Sequence, residues 1–126
     1  MTPDYHEQLF VDVEKISQEL RIRPHIYVKL LKSFADNLVG KLKLLNEAMT
    51  INDRDQMRMI LHEIKGTAGN LRLYNITGPE AVLHVAVKAG ESQKILAAHL
   101  EVLRQESERL HQYVNGLPDG PQTSNS

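Results

Sequence analysis

The chain is 126 residues long, 41% apolar and 25% charged, the ordinary make-up of one globular domain whose core needs no disulfide or structural metal. Fifteen Lys and Arg against sixteen Asp and Glu leave a net charge of −1, without the basic excess of a nucleic-acid binder. Cysteine is absent, which excludes thiol catalysis and Cys-based zinc sites and fits a reducing compartment, so a cytoplasmic location is expected. The first ten residues carry Asp4 and Glu7 instead of the basic start and apolar middle of a secretory signal, and no apolar run reaches the roughly twenty residues that span a bilayer.

Leu9, Val13, Ile16 and Leu20 recur at helical spacing and predict an N-terminal helix within residues 1–23. Pro24 opens a second, longer helix whose stripe is Ile26, Leu30, Phe34, Leu38, Leu42 and Leu45. Asp53 with Gln56 three residues on resembles a capping box and starts a third helix, with Met57, Ile60, Leu61, Ile64, Ala68 and Leu71 on its inner face. Thr77 with Glu80 reads as a second capping box, with Pro79 in the first turn of a short fourth helix that Gly90 ends. Ser92 caps a last helix striped by Ile95, Leu96, Leu103, Leu110 and Val114 and stopped by Gly116. No strand alternation and no internal repeat is present. The fold expected is all-α: an antiparallel up-down-up-down four-helix bundle over 24–115, with an N-terminal helix packed on it and a disordered polar tail at 116–126.

One residue breaks the pattern of the third helix. At about 100° per residue, its apolar positions cluster around one direction, and His62 lies about 140° from it, facing outward. Gly66 and Gly69, one and two turns onward on that side, carry no side chain to crowd the imidazole. A glycine inside a helix costs about 1 kcal/mol relative to alanine, so two of them call for a packing or a docking reason. Arg54, Arg58, Lys65 and Arg72 fall about 60–100° from the core direction and make one flank of the histidine basic, which suits an anionic ligand or acidic partner. An unperturbed imidazole titrates near pH 6.5 and is a competent nucleophile at neutral pH. Taken singly, each of these residues is an ordinary member of a solvated helix face.

The segment His62-Glu63-Ile64-Lys65-Gly66-Thr67-Ala68-Gly69-Asn70-Leu71 resembles the histidine-containing phosphotransfer (HPt) family, whose signature is His, two residues, Lys-Gly, then small residues ending in Leu. The likeness continues through Leu73, Ile76, Leu83, Ala86, Gly90 and Glu91, and with the flanking helices covers roughly residues 26–114. The resemblance implies a four-helix bundle that shuttles phosphoryl groups between aspartates of response-regulator receiver domains, upstream of them a hybrid sensor histidine kinase. It makes His62 the phospho-acceptor, Lys65 the cation beside the phosphoryl group, and Gly66 the gap that admits a receiver aspartate. The chain departs from the family pattern at Leu61, where alanine is usual, at Arg72, where glycine is usual, and at His84, where Glu or Gln is common. His84 is expected to face His62 and to bond its other ring nitrogen or a phosphoryl oxygen.

The resemblance implies no cofactor of the chain's own, magnesium belonging to the partner receiver, and the chain has no glycine-rich nucleotide loop with which to take phosphate from ATP. Neither nucleic acid nor membrane is an expected partner, and the chain reads as a free-standing monomer. The alternative is a helical docking module for a receiver or kinase that carries no phosphate, with Val82, Val85 and Leu73 as apolar contacts or as core. A zinc hydrolase is excluded because Gly66 stands where the His-Glu motif needs its second histidine. His6, His25, His99 and His111 have no ligand spacing and are assigned nothing.

Overall fold

A computed structural model describes residues 10–118. Five helices are present: α1 (Val13–Leu20), α2 (Pro24–Thr50), α3 (Arg54–Asn70), α4 (Tyr74–Lys88) and α5 (Gln93–Asn115), with no strand among the described residues. No described helix is long and apolar enough to cross a membrane. The expectations for Leu9 and for residues 119–126 lie outside the described residues, whereas Gly116 to Pro118 lie within them. Leu117 packs against the core, and its carbonyl accepts a hydrogen bond from Lys32 Nζ at 3.2 Å.

Short polar devices set the helix ends. Asp12 caps α1 by accepting from the Lys15 amide, Asp53 caps α3 through the Gln56 amide, and Ser92 caps α5 through the Ile95 amide. Pro24 occupies the first turn of α2, where its missing N–H costs nothing. The turns between helices pass through left-handed backbone at Arg21, Asn52, Arg72 and Gly90, with φ between 57° and 76°. Glycine takes that conformation freely and asparagine tolerably; the two arginines hold it at a steric cost.

The helix α4 begins four residues earlier than Thr77 and Glu80 indicate. Leu73 is its N-cap residue and makes no side-chain capping bond, Pro79 lies inside the helix, and Glu80 is buried at 1% exposure rather than serving as a capping acid. The apolar turn Leu71 to Leu73 drives this: burying Leu73 and Ile76 fixes the chain's entry into the helix without a polar cap.

Helix α3 packs on α2 and α4, α5 packs on α4 and α2, and α1 packs on α2, all around one hydrophobic core. The expected inner face of α3 is buried in full. In α2, Phe34, Leu38, Leu42 and Leu45 are buried as expected, but Ile26 and Leu30 are exposed at 38% and 44% and the stripe continues instead through Tyr27 and Leu31. A 27-residue helix at 3.6 residues per turn drifts relative to a fixed four-residue step, and the bulky Tyr27 wins the inner position. Ile95 of α5 is likewise exposed, with Leu96 and Leu100 turned inward.

The N-terminal segment is tied to the end of α5. The Tyr113 hydroxyl donates to the Val11 carbonyl at 2.9 Å, the Phe10 and Tyr113 rings lie 6.3 Å apart, and the Arg109 guanidinium sits 5.7 Å from the Phe10 ring centre.

Candidate functional site

His62 is exposed in the middle of α3, and neither ring nitrogen has a hydrogen-bond partner among the described residues. Its placement follows from its neighbours in sequence: Leu61 and Ile64 are fully buried, so the helix phase leaves His62 no inward direction. A Cβ added at Gly66 or at Gly69 meets nothing within 4 Å. Neither glycine is there to let another element approach closely, so tertiary packing gives no reason for the helix propensity lost at both positions.

Two contacts fix which side of α3 faces which neighbour. Glu63 forms an ion pair at 2.9 Å with Lys41 of α2, while Arg54 donates to the Val87 and Glu91 carbonyls at the end of α4, at 3.1 and 2.7 Å. His62 and Lys65 lie on the Arg54 side of the helix, so the imidazole leans toward α4.

The basic flank is thinner than the sequence indicates. Arg54 spends its guanidinium on those two carbonyls, and Arg58 pairs with Asp55. Arg72 lies beyond the helix end, where its guanidinium reaches back at 3.4 Å to the carbonyls of Gly69, which also accepts the Arg72 amide at 3.0 Å, and of Asn70. Lys65 is exposed and makes no ion pair with any described residue, which leaves it as the cation available to an anion at His62.

On α4, His84 is half-buried, with Nδ1 3.0 Å from Oε2 of Glu80 one turn earlier. No hydrogen bond joins His84 to His62, and His84 Nε2 has no partner among the described residues. Oε1 of Glu80 is buried without any hydrogen-bond partner. Local sequence masks this carboxylate, because a Glu three residues after a Thr reads as a capping acid; the signal that could find it is its spacing of four from Ile76 and three from Leu83, both core residues.

The solvent face of α4 is nearly free of charge. Ala81, Val82 and Val85 are exposed, the last two at 52% and 65%, and Lys88 is the first charged side chain to appear there. Leu73, read as a possible exposed contact, is fully buried.

The remaining described histidines sit apart from this site. His111 on α5 has both ring nitrogens engaged, Nε2 by Asp36 at 3.0 Å and Nδ1 by Asn115 at 3.3 Å, while His25 and His99 are half-buried on α2 and α5. No group of three or more His, Cys, Asp or Glu is arranged to hold a metal ion among the described residues.

No protein-family model matches the sequence, and neither any curated protein nor any solved structure matches it.

Proposed function

We propose that this chain is a histidine-containing phosphotransfer protein, a phosphocarrier that takes a phosphoryl group onto His62 from one receiver-domain aspartate and gives it to another, with a hybrid sensor histidine kinase at the head of the relay. The observation that carries the reading is the exposed, unpartnered imidazole of His62 beside Gly66, a helical glycine with open space where its side chain would be. An antiparallel up-down-up-down arrangement of α2 to α5 belongs to the same reading, supported by the short turns between these helices and by their successive pairing around one core.

Chemically, a neutral ring nitrogen of His62 attacks the phosphorus of an aspartyl phosphate. The N–P bond forms as the acyl phosphate P–O bond breaks, and the aspartate leaves as carboxylate. Lys65, about one turn along on the α4 side, screens the added charge. Gly66 leaves room for the receiver's aspartate loop, and the uncharged face of α4 around Val82 and Val85 offers it an apolar contact surface. Magnesium, where needed, is held by the receiver. The chain acts without a nucleotide of its own, in the cytoplasm, as a monomer.

The test is incubation with phosphorylated receiver domains, followed by measurement of acid-labile, alkali-stable phosphate on the chain. Label is expected on the wild type and absent from His62→Gln. A His62→Gln variant that takes up label at the wild-type rate rejects the reading. A wild type that binds receivers tightly yet takes up no label is instead a docking module using the same face.

A further inference from the structure

Glu80 is the most deeply buried charged residue described, and the phosphotransfer step leaves it without a task. Taking an ionised carboxylate out of water with one oxygen unpaired is costly unless a cation or donor compensates, and His84 is the partner the chain provides. Resting on the phosphocarrier reading, we propose that Glu80 is a positioning residue. Its carboxylate takes the Nδ1–H of His84, so that His84 presents Nε2 in the α3/α4 groove to a phosphoryl group carried by His62.

Helix geometry brings the two histidines to the same groove. Antiparallel right-handed helices packed side by side turn flanks of the same rotational sense toward each other. The Lys41–Glu63 pair obeys this rule, since both residues precede their core directions, by roughly 65° and 120°. The other flanks of α3 and α4 therefore meet. His62 lies about 140° and Lys65 about 80° past the core direction of α3, and His84 about 80° past that of α4. With Arg72 at the middle of the turn, residues whose numbers sum to about 144 are level, which puts His84 within about 3 Å of His62 along the helix axes. His84 keeps 18% of its side chain exposed, enough for Nε2 to reach the groove.

The proton accounting is simple. In the resting state the Nδ1 proton is shared with Glu80 and Nε2 is free to accept. When His62 acquires a phosphoryl dianion, His84 takes one proton from solvent onto Nε2. The imidazolium then lies between two anions and donates Nε2–H to a phosphoryl oxygen. Glu80 is the charged group in contact with His84; helix geometry puts Arg58, held by Asp55, and Lys65 of α3 and Lys88 of α4 nearest to it in level, with the half-buried His99 of α5 on the opposite flank of α4.

The experiment is ¹⁵N NMR of the histidine side chains of the full chain at roughly pH 9, above the ordinary titration range of histidine, before and after phosphorylation with phosphoramidate. In that reaction the donor's N–P bond breaks, ammonia leaves and the His62 N–P bond forms. The resting protein should show His84 protonated at Nδ1, and phosphorylation should move its Nε2 signal into the protonated range. Glu80→Gln should abolish that response and shorten the lifetime of phospho-His62 about tenfold, and in a His84→Gln background the same change should have no further effect. A resting His84 protonated only at Nε2 overturns the proposal. So does an Nε2 signal that stays put while label appears on His62, a result that leaves the phosphocarrier reading standing. Failure of label to appear on His62 overturns both, and is read separately from the His84 signals.

Discussion

The hydroxyl of Tyr27, in the first turn of α2, donates to the carbonyl of Leu71 at 2.6 Å, across 44 positions of sequence. It pins the turn that follows α3 and therefore fixes where the helix bearing His62 stops. The ring is fully buried and the Leu71 carbonyl is one of the last of its helix, with no intrahelical donor of its own. Tyr27→Phe removes the donor and keeps the packing, leaving a buried acceptor unpaired. A loss of about 1–3 kcal/mol is expected, read as a lower midpoint in urea with an unchanged slope.

The same residue gives the protein an alkaline limit. Burial, and then the neighbouring Tyr113, pushes the Tyr27 phenol well above its ordinary range, and burial followed by the Asp12 carboxylate raises Tyr113 in the same direction. A group that holds its proton more tightly when folded contributes stability that is complete below its unfolded pKa of about 10 and is lost as pH rises through the folded value. Stability should therefore be insensitive to these two phenols up to about pH 10 and decline above it. Tyr27→Phe should flatten that decline, and an equally steep alkaline loss in the variant would show that Tyr27 does not cause it.

Much of the site was legible because it depends on the phase of one helix. Met57, Ile60, Leu61, Ile64 and Ala68 set the inward direction of α3 so firmly that His62, Lys65 and Gly66 had to face outward, and all three are exposed. What stayed hidden depends on partners distant in sequence. Arg54 is diverted to the α4 terminus and Arg72 to carbonyls beyond the helix end. Glu80 is drawn inside beside His84, its core spacing from Ile76 and Leu83 masked by the Thr77 spacing that marks a capping acid. The start of α4 was misplaced for a related reason: its entry is fixed by burial of Leu73 and Ile76, whereas polar caps are what local sequence displays.

Arg72 occupies left-handed backbone at φ 62°, where an L side chain costs about 1–2 kcal/mol relative to glycine. Its compensation is two long contacts of 3.4 Å to helix-end carbonyls, both weak by geometry. Arg72→Gly should therefore stabilise the fold by about 1 kcal/mol, after allowing for the greater freedom of glycine in the unfolded chain. Thermal unfolding checks this, and a lowered midpoint would mean that the guanidinium contacts outweigh the backbone strain.

Lys65 stands free in solvent, so its pairing with a phosphoryl group on His62 is an exposed interaction worth about 0–1 kcal/mol. Lys65→Ala should slow phosphoryl uptake by no more than about tenfold and leave unfolding unchanged. The effect should shrink as salt is raised, because exposed charges are screened over about 10 Å at 0.1 M ionic strength. A slowing of a hundredfold or more, independent of salt, would place Lys65 in a tighter role than the geometry gives it.

Gly66 separates the requirements of folding from those of docking. Open space surrounds its missing Cβ, so Gly66→Ala relieves the helix of one of its two glycines without a clash and should raise stability by about 1 kcal/mol. Gly66→Leu should be accommodated equally well by the isolated protein, since the side chain projects into solvent. Uptake of phosphate from a receiver should nevertheless fall in the order glycine, alanine, leucine, while uptake from a small donor such as phosphoramidate, which needs no protein surface against α3, should change little. The divergence between the two donors is the decisive measurement. If leucine lowers both equally, the residue acts on His62 itself; if it lowers neither, the clearance beside the imidazole is not used for docking.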